Sequence, residues 1–154
     1  MAAEGGIDIV AVRSAAELDR FIRVAMRLGA GDPNYVPPLV LERKEALSPK
    51  GNPFFEHAEV QFWIAVKDGR DVGRISAQID ALNPQTAEGV GHFGMIAAED
   101  DPAVFRALFA AAEAWLLARG CRTAIGPVNL STNEEVGLLV EGADTPPMFM
   151  MSHD

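Results

Sequence analysis

A strand-like apolar run, Val60 to Lys67, and a run of alternating apolar and polar residues, Val72 to Asp80, flank the tetrapeptide Asp68-Gly69-Arg70-Asp71. Period-two alternation is the pattern of a strand, and an Asp-Gly pair closes a tight turn between antiparallel strands, so the middle of the chain is a hairpin. In the return strand Val72, Ile75, Ala77 and Ile79 supply the apolar positions. This hairpin constrains everything else, because the remaining elements must either extend its sheet or cover it.

The flanking segments fit that role. Ile7 to Val12 alternates like a half-buried strand. Ser14-Ala-Ala-Glu17 is a capping-box pattern that opens a helix carrying Leu18, Phe21, Ile22, Ala25, Met26 and Leu28 on one face, closed by Gly29 and Gly31. Pro33, Pro37 and Pro38 forbid helix over 32–38. A short helix is expected from Leu39 to Leu47, a turn-rich loop from Ser48 to Pro53, another loop at Asn83-Pro84 and a strand from His92 to Ala97. Asp101 and Pro102 suit the cap and first position of a helix whose stripe is Val104, Phe105, Leu108, Phe109, Ala112, Trp115 and Leu116, with Trp115 buried. Gly120 stops it before a last strand, Cys121 to Ile125. The order strand, helix, helix, three strands, helix, strand predicts an α/β (α+β) fold, a mixed and mainly antiparallel sheet flanked by helices. The whole of 1–154 reads as one domain.

Composition narrows the function classes. Of the 154 residues 49% are hydrophobic and 23% are charged, which is globular rather than disordered. The net charge of −9 argues against a nucleic-acid partner. Cys121, the single cysteine, excludes an internal disulfide and reads as buried filler. The scattered histidines lack metal-ligand spacing, so no metal is expected. Met1 to Gly6 lacks a signal-peptide pattern and no apolar run reaches the ~20 residues of a bilayer span, which makes the cytoplasm the default compartment.

The segment that exceeds the needs of a simple core is 129–135. Asn129, Ser131, Thr132, Asn133, Glu134 and Glu135 crowd together just after an apolar strand, a common place for a site. A carboxylate at such a place can serve as a general base, and amides and hydroxyls can orient a bound group. Glu134 or Glu135 suits the first role, with Glu134 preferred, and Asn129 or Asn133 suits substrate orientation, with Ser131 and Thr132 as further contacts. The competing reading is a capped turn satisfying its own amides. His57, His92 and Arg74 are further substrate-contact candidates, each set against a structural hydrogen bond or, for Arg74 and Asp80, a solvated strand face. Trp63, Trp115 and Phe54-Phe55 read as core.

Several short motifs occur together and in order: Tyr35-Val-Pro-Pro-Leu39, Asn52-Pro-Phe-Phe-Glu-His57, Gly73-Arg-Ile-Ser-Ala77, Gly91-His-Phe-Gly94, Gly126-Pro-Val-Asn-Leu-Ser131 and Gly137-Leu-Leu-Val-Glu-Gly142, then Pro146-Pro147 and Met150-Met151. On these the chain resembles, from about Val10 to Asp154, a bacterial group of GNAT-superfamily acyl-CoA N-acyltransferase-like proteins, some connected with ceramide-synthase chemistry, the N-acylation of sphingoid bases. The resemblance implies an acyltransferase that takes an acyl group from a thioester to an amine. Acyl-CoA would be a cosubstrate rather than a bound cofactor, with Phe93, Gly94 and Met95 as donor contacts and a membrane surface as an open partner. It also implies that the fold continues past Asp154. One departure stands out. Where such enzymes carry a basic glycine-rich loop for the CoA pyrophosphate, this chain has Ala98-Glu-Asp-Asp-Pro102, whose carboxylates oppose a polyanion. An acyl- or lipid-binding module without chemistry is therefore the alternative. A Nudix-type pyrophosphohydrolase is rejected, because the helix Pro102 to Arg119 carries only Glu113 for magnesium.

Overall fold

The computed structural model describes residues 6–147, so Met150, Met151 and His153 lie outside the described residues. The elements run β1 (Ile7–Ala11), α1 (Ala15–Gly29), α2 (Val40–Ala46), β2 (Ala58–Lys67), β3 (Arg70–Asp80), β4 (Val90–Ala98), α3 (Pro102–Leu117), β5 (Thr123–Ile125), β6 (Val128–Asn129) and β7 (Glu135–Val136). Strands β1 to β5 form one sheet in sequence order, antiparallel except for the parallel β4–β5 pair. This is the expected mixed, mainly antiparallel sheet. The two-residue strands β6 and β7 pair only with each other and were not anticipated.

Local chemistry explains the boundaries. Ser14 Oγ accepts from Glu17 N, while Glu17 reaches back to the Arg13 amide at 2.7 Å, so the capping box starts α1. Asp68 and Gly69 both take positive φ, as the tight hairpin turn between β2 and β3 requires. Asp101 Oδ1 accepts from Ala103 N with Pro102 at the first position of α3. Gly120, at φ 87°, ends the following turn.

The sheet is covered on both faces. Val104, Leu108, Ala112 and Leu116 of α3 pack on Trp63, Ala65, Val72, Ile75 and Ala77. On the other face Phe21 and Ile22 of α1 pack with Leu47, Phe54, Phe62, Ile64, Met95 and Leu130. Trp115 is half-buried rather than buried: it stacks edge-on to Trp63 while the Arg119 guanidinium lies 3.8 Å over its outer face. Helix α2 has no buried residue of its own. Leu47 just after it anchors in the core, and Lys44 pairs with Asp19 of α1 at 2.6 Å.

Two irregularities in β4 shape the surface beside it. Arg74 opposes Ala97 and Ser76 opposes Gly94, so β4 holds one extra residue, with Met95 bulged at φ 50°. Strand β5 pairs only with Val90 to His92, and the chain then leaves β4 at Gly126. The outer edge of β4 beyond His92 has no strand partner among the described residues.

Candidate functional site

Partners opposite one another in a ladder share a face, as do alternate residues of one strand. Arg74, Ser76, Gln78 and Asp80 therefore form one row on the α1 side of β3, and His92, opposite Gln78, extends it onto β4. The buried polar residues among those described are Arg74, Ser76, Gln78, His92 and Asn129. The first four belong to this row and the fifth lies on top of it. A concentrated set of buried polar groups needs partners, and the loop after β5 supplies several.

Gln78 Nε2 donates to the carbonyls of Val128 at 2.6 Å and Leu130 at 3.2 Å. Ser76 Oγ lies 3.4 Å from Gln78 Oε1. The Val128 carbonyl can sit over β4 only because residue 94 is glycine: a Cβ there would overlap that oxygen and come within 2.6 Å of its carbon. Between the two held carbonyls, Asn129 turns its carboxamide into the fold. Its Oδ1 accepts from the bulged Met95 amide at 2.7 Å and its Nδ2 donates to Glu135 Oε2 at 2.9 Å. Glu135 Oε1 lies 3.7 Å from Arg43 of α2. Glu134 faces the same side. Asn52 hydrogen-bonds its carboxyl, whose desolvation pushes its pKa above the ordinary carboxylate value; Arg43 opposes the shift and Glu135 adds to it. The residue as a whole is exposed.

Two clefts meet here. An apolar cleft of about 320 Å³ follows the unpaired edge of β4 and is lined by Leu28, Met95 to Ala98, Phe105, Pro127, Asn129 and Gly137 to Leu139. A small polar recess of about 10 Å³, room for about one water, is lined by Arg43, Leu47, Arg74, Met95 and Asn129. Met95 and Asn129 belong to both. A larger hollow of about 580 Å³ lies between α3 and β5, on the far side of the sheet from the polar row, and none of the candidate residues lines it.

The expected site residues divide accordingly. Asn129 lines both clefts, whereas Glu134 lines neither and has Arg43, Glu135 and Asn52 around its carboxyl. Ser131 Oγ accepts from the Asn133 amide at 3.2 Å, as in a capped turn, while Thr132 and Asn133 are exposed. Glu135, the less favoured of the two glutamates, is the one that touches Asn129. Arg74 is not on a solvated face: it is 8% exposed, donates to the Phe21 carbonyl and lies 5.1 Å over the Phe21 ring, because α1 covers that side of β3. Asp80 pairs with His57 at 2.7 Å. His92 is buried, and desolvation lowers its pKa against the opposing charge of Asp80. Of the donor contacts, Met95 lines the apolar cleft, Gly94 lies under the Val128 carbonyl and Phe93 turns to the other face against Phe109. Gln78, Asn52 and Arg43 escaped sequence reasoning. Gln78 alternates with Arg74, Ser76 and Asp80, and that was the available signal.

The acidic loop before α3 is occupied internally. Asp101 caps the helix and pairs with Lys67 at 2.9 Å, and Glu99 lies 3.6 Å from Arg27 and 3.4 Å from Arg70. Among the described residues no group of three or more His, Cys, Asp or Glu could hold a metal, and no helix is long and apolar enough to cross a membrane.

The fold defines the class. A tandem GNAT protein from the clavulanic acid biosynthesis pathway superposes with a TM-score of 0.58 at 15% identity, covering 75% of this chain and 34% of that one. An aminoglycoside acetyltransferase from an uncultured soil metagenomic sample, in complex with sisomicin, gives 0.57 at 15% identity over 80% and 78%. An aminoglycoside N-acetyltransferase in complex with CoA gives 0.56 at 19% identity over 92% and 97%. The chain has the GNAT fold. No protein-family model matches its sequence. Particular relatives are nearer: the chain is 64% identical over 150 residues to the bacterial ceramide synthase of Caulobacter vibrioides and 52% identical over 138 residues to the protein YghO of Escherichia coli. The matches cover 96% and 89% of this chain but 39% and 35% of those relatives, so the chain spans well under half of their length. The resemblance drawn from the motifs holds in both respects, the GNAT fold and the likeness to a bacterial ceramide synthase.

Proposed function

We propose that this chain forms part of an N-acyltransferase that moves an acyl group from a thioester donor, with acyl-CoA as cosubstrate, to the amine of a long-chain acceptor such as a sphingoid base, in the cytoplasm. The observation that carries the reading is the shared wall of the two clefts. The apolar cleft suits the acyl end of a donor, and the recess, about 10 Å³ and large enough for no more than about one water, marks where polar groups meet that cleft at Met95 and Asn129. Transfer requires the amine nitrogen and the thioester carbon to meet within reach of a base. The named activity of the ceramide synthase relative supports the choice of chemistry.

In this reading Glu134 takes the proton released as the amine nitrogen bonds to the acyl carbon and the thiolate leaves. Its raised pKa moves it toward the operating range of a general base. Asn129 orients the reacting groups, and Glu135 orients Asn129. Thr132 and Asn133, exposed on the turn, are candidates for contact with the acceptor head. The test is product formation by the full-length protein from an acyl-CoA and a long-chain amine. Glu134→Gln should lower turnover by about 10²–10⁴-fold. Its melting temperature should hardly move, because the residue is exposed. Glu135→Gln keeps an oxygen for Asn129 and should cost less. Full activity in Glu134→Gln removes this residue from the mechanism. Absence of any acylation by the parent protein, with saturable acyl-CoA binding retained, would favour the binding-module alternative.

A further inference from the structure

Gln78 is 1% exposed in the middle of β3, yet it forms no part of the apolar core. Both of its bonds to the loop run to backbone carbonyls on either side of Asn129. The segment it holds is conformationally unusual. Leu130 takes φ 67° and Met95 takes φ 50°, both are buried, and neither is glycine. Side chains resist that region, so such residues persist only where their surroundings over-determine them. Three contacts do so here. Gln78 fixes the carbonyls of Val128 and Leu130, Gly94 leaves room for the first of these, and the Asn129 carboxamide bridges the Met95 amide and Glu135.

We infer that Gln78 is a positioning residue for acyl transfer: by gripping the loop carbonyls on both sides of Asn129, it sets the Asn129 carboxamide at the junction of the two clefts. The inference rests on the proposed acyltransferase reading and on the placement of Asn129 within it. Gln78 lines neither cleft and acts only through the loop. Without its two donors the loop can shift by a fraction of an ångström and rotate Asn129 away from Met95. Misplacement on that scale can lower turnover on the order of 10²-fold even when substrate still binds.

The test is a double-mutant cycle in the full-length protein, read below the melting temperature of every variant. Gln78→Met keeps the length of the side chain and removes the donors. Turnover per folded molecule should fall about 10²-fold with little change in the donor KM. Asn129→Ala should fall at least as far, and the double variant no further than Asn129→Ala alone, because one residue acts through the other. A second readout does not need activity. With methionine labelled at its amide nitrogen, the Met95 amide should exchange with solvent at least tenfold faster in Gln78→Met. Should Gln78→Met fail to fold, Ser76→Ala, which removes only the hydroxyl beside Gln78 Oε1, should show the same change in smaller measure. Additive losses, a folded Gln78→Met with parental turnover, or an unchanged Met95 amide would overturn the inference. If the parent protein transfers no acyl group, the functional reading fails, and the Met95 amide still decides whether Gln78 holds Asn129.

Discussion

Replacing Gly94 by alanine tests the construction of the site directly. The added methyl would overlap the Val128 carbonyl oxygen and lie 2.6 Å from the Val128 carbon. Both obstacles are backbone, so no side chain can swing aside. Overpacking of this kind costs about 1–3 kcal/mol. Relief requires moving Val128 outward, which breaks its 2.6 Å bond from Gln78 and leaves a buried donor unsatisfied. That costs about 1–3 kcal/mol more. The smaller unfolded-state entropy of alanine returns about 0.4–1 kcal/mol. A net loss of a few kcal/mol in a chain of this length lowers the melting temperature by roughly 5–20 °C. Two other glycines calibrate the result. At Gly91 the new methyl would meet Leu116 Cδ2 at 2.5 Å, the movable end of a side chain, so Gly91→Ala should cost less. At Gly31 nothing lies within 4 Å, so Gly31→Ala should be close to neutral. Thermal melts followed by circular dichroism suffice. A Gly94→Ala protein that melts as high as Gly31→Ala would refute the close approach of loop and strand.

Two further outcomes concern charge. Burial lowers the His92 pKa below the ordinary 6.5, so between that value and its folded pKa the unfolded chain binds more protons; stability should fall as pH drops through this window, and His92→Gln should flatten the pH dependence of urea midpoints there. Asp101 is shifted the other way, held below its ordinary 3.8 first by Lys67 and then by the Ala103 amide, so its contribution is present above that value and fades as pH falls through the folded pKa. Asp101→Ala should lower stability at neutral pH, mainly through the lost cap, and Asp101→Asn, which keeps a capping oxygen, should lower it less, measured by denaturant unfolding.

Most of the fold was legible because its signals are local. The Asp68-Gly69 turn, the Ser14 capping box and the Asp101-Pro102 helix start each appear in the structure where the sequence places them. Position within the fold was harder to read. Alternation in β3 separates two faces but does not say which one is covered. Arg74 and Asp80 therefore read as a solvated face until α1 is seen to close over Arg74 and the 128–130 loop over Gln78 between them. The candidate segment 129–135 was visible as a polar run, yet its division was not. Ser131 serves its own turn while Asn129 reaches Met95, 34 residues earlier. Only the third dimension distinguishes a side chain that caps its neighbours from one that bonds across the fold.

Helix α2 closes one side of the polar recess through Arg43, and none of its seven residues is buried. Its attachments include Val40, packed against the Phe21 cluster, Leu47 at its end, the Asn52 bond to the Ala46 carbonyl and the ionic contacts of Lys44 with Asp19 and Arg43 with Glu135. Asp19 is itself drawn down to about 2, first by Arg23 and then by Lys44. The floor of the recess, by contrast, is sheet backed by apolar packing. The wall therefore depends on ionic contacts to a greater degree than the floor does. Ionic strength screens partly exposed ion pairs over about 8–10 Å and slackens the wall, while leaving the floor to agents that weaken apolar burial. Access to the recess becomes a property of the surrounding electrolyte as well as of the chain.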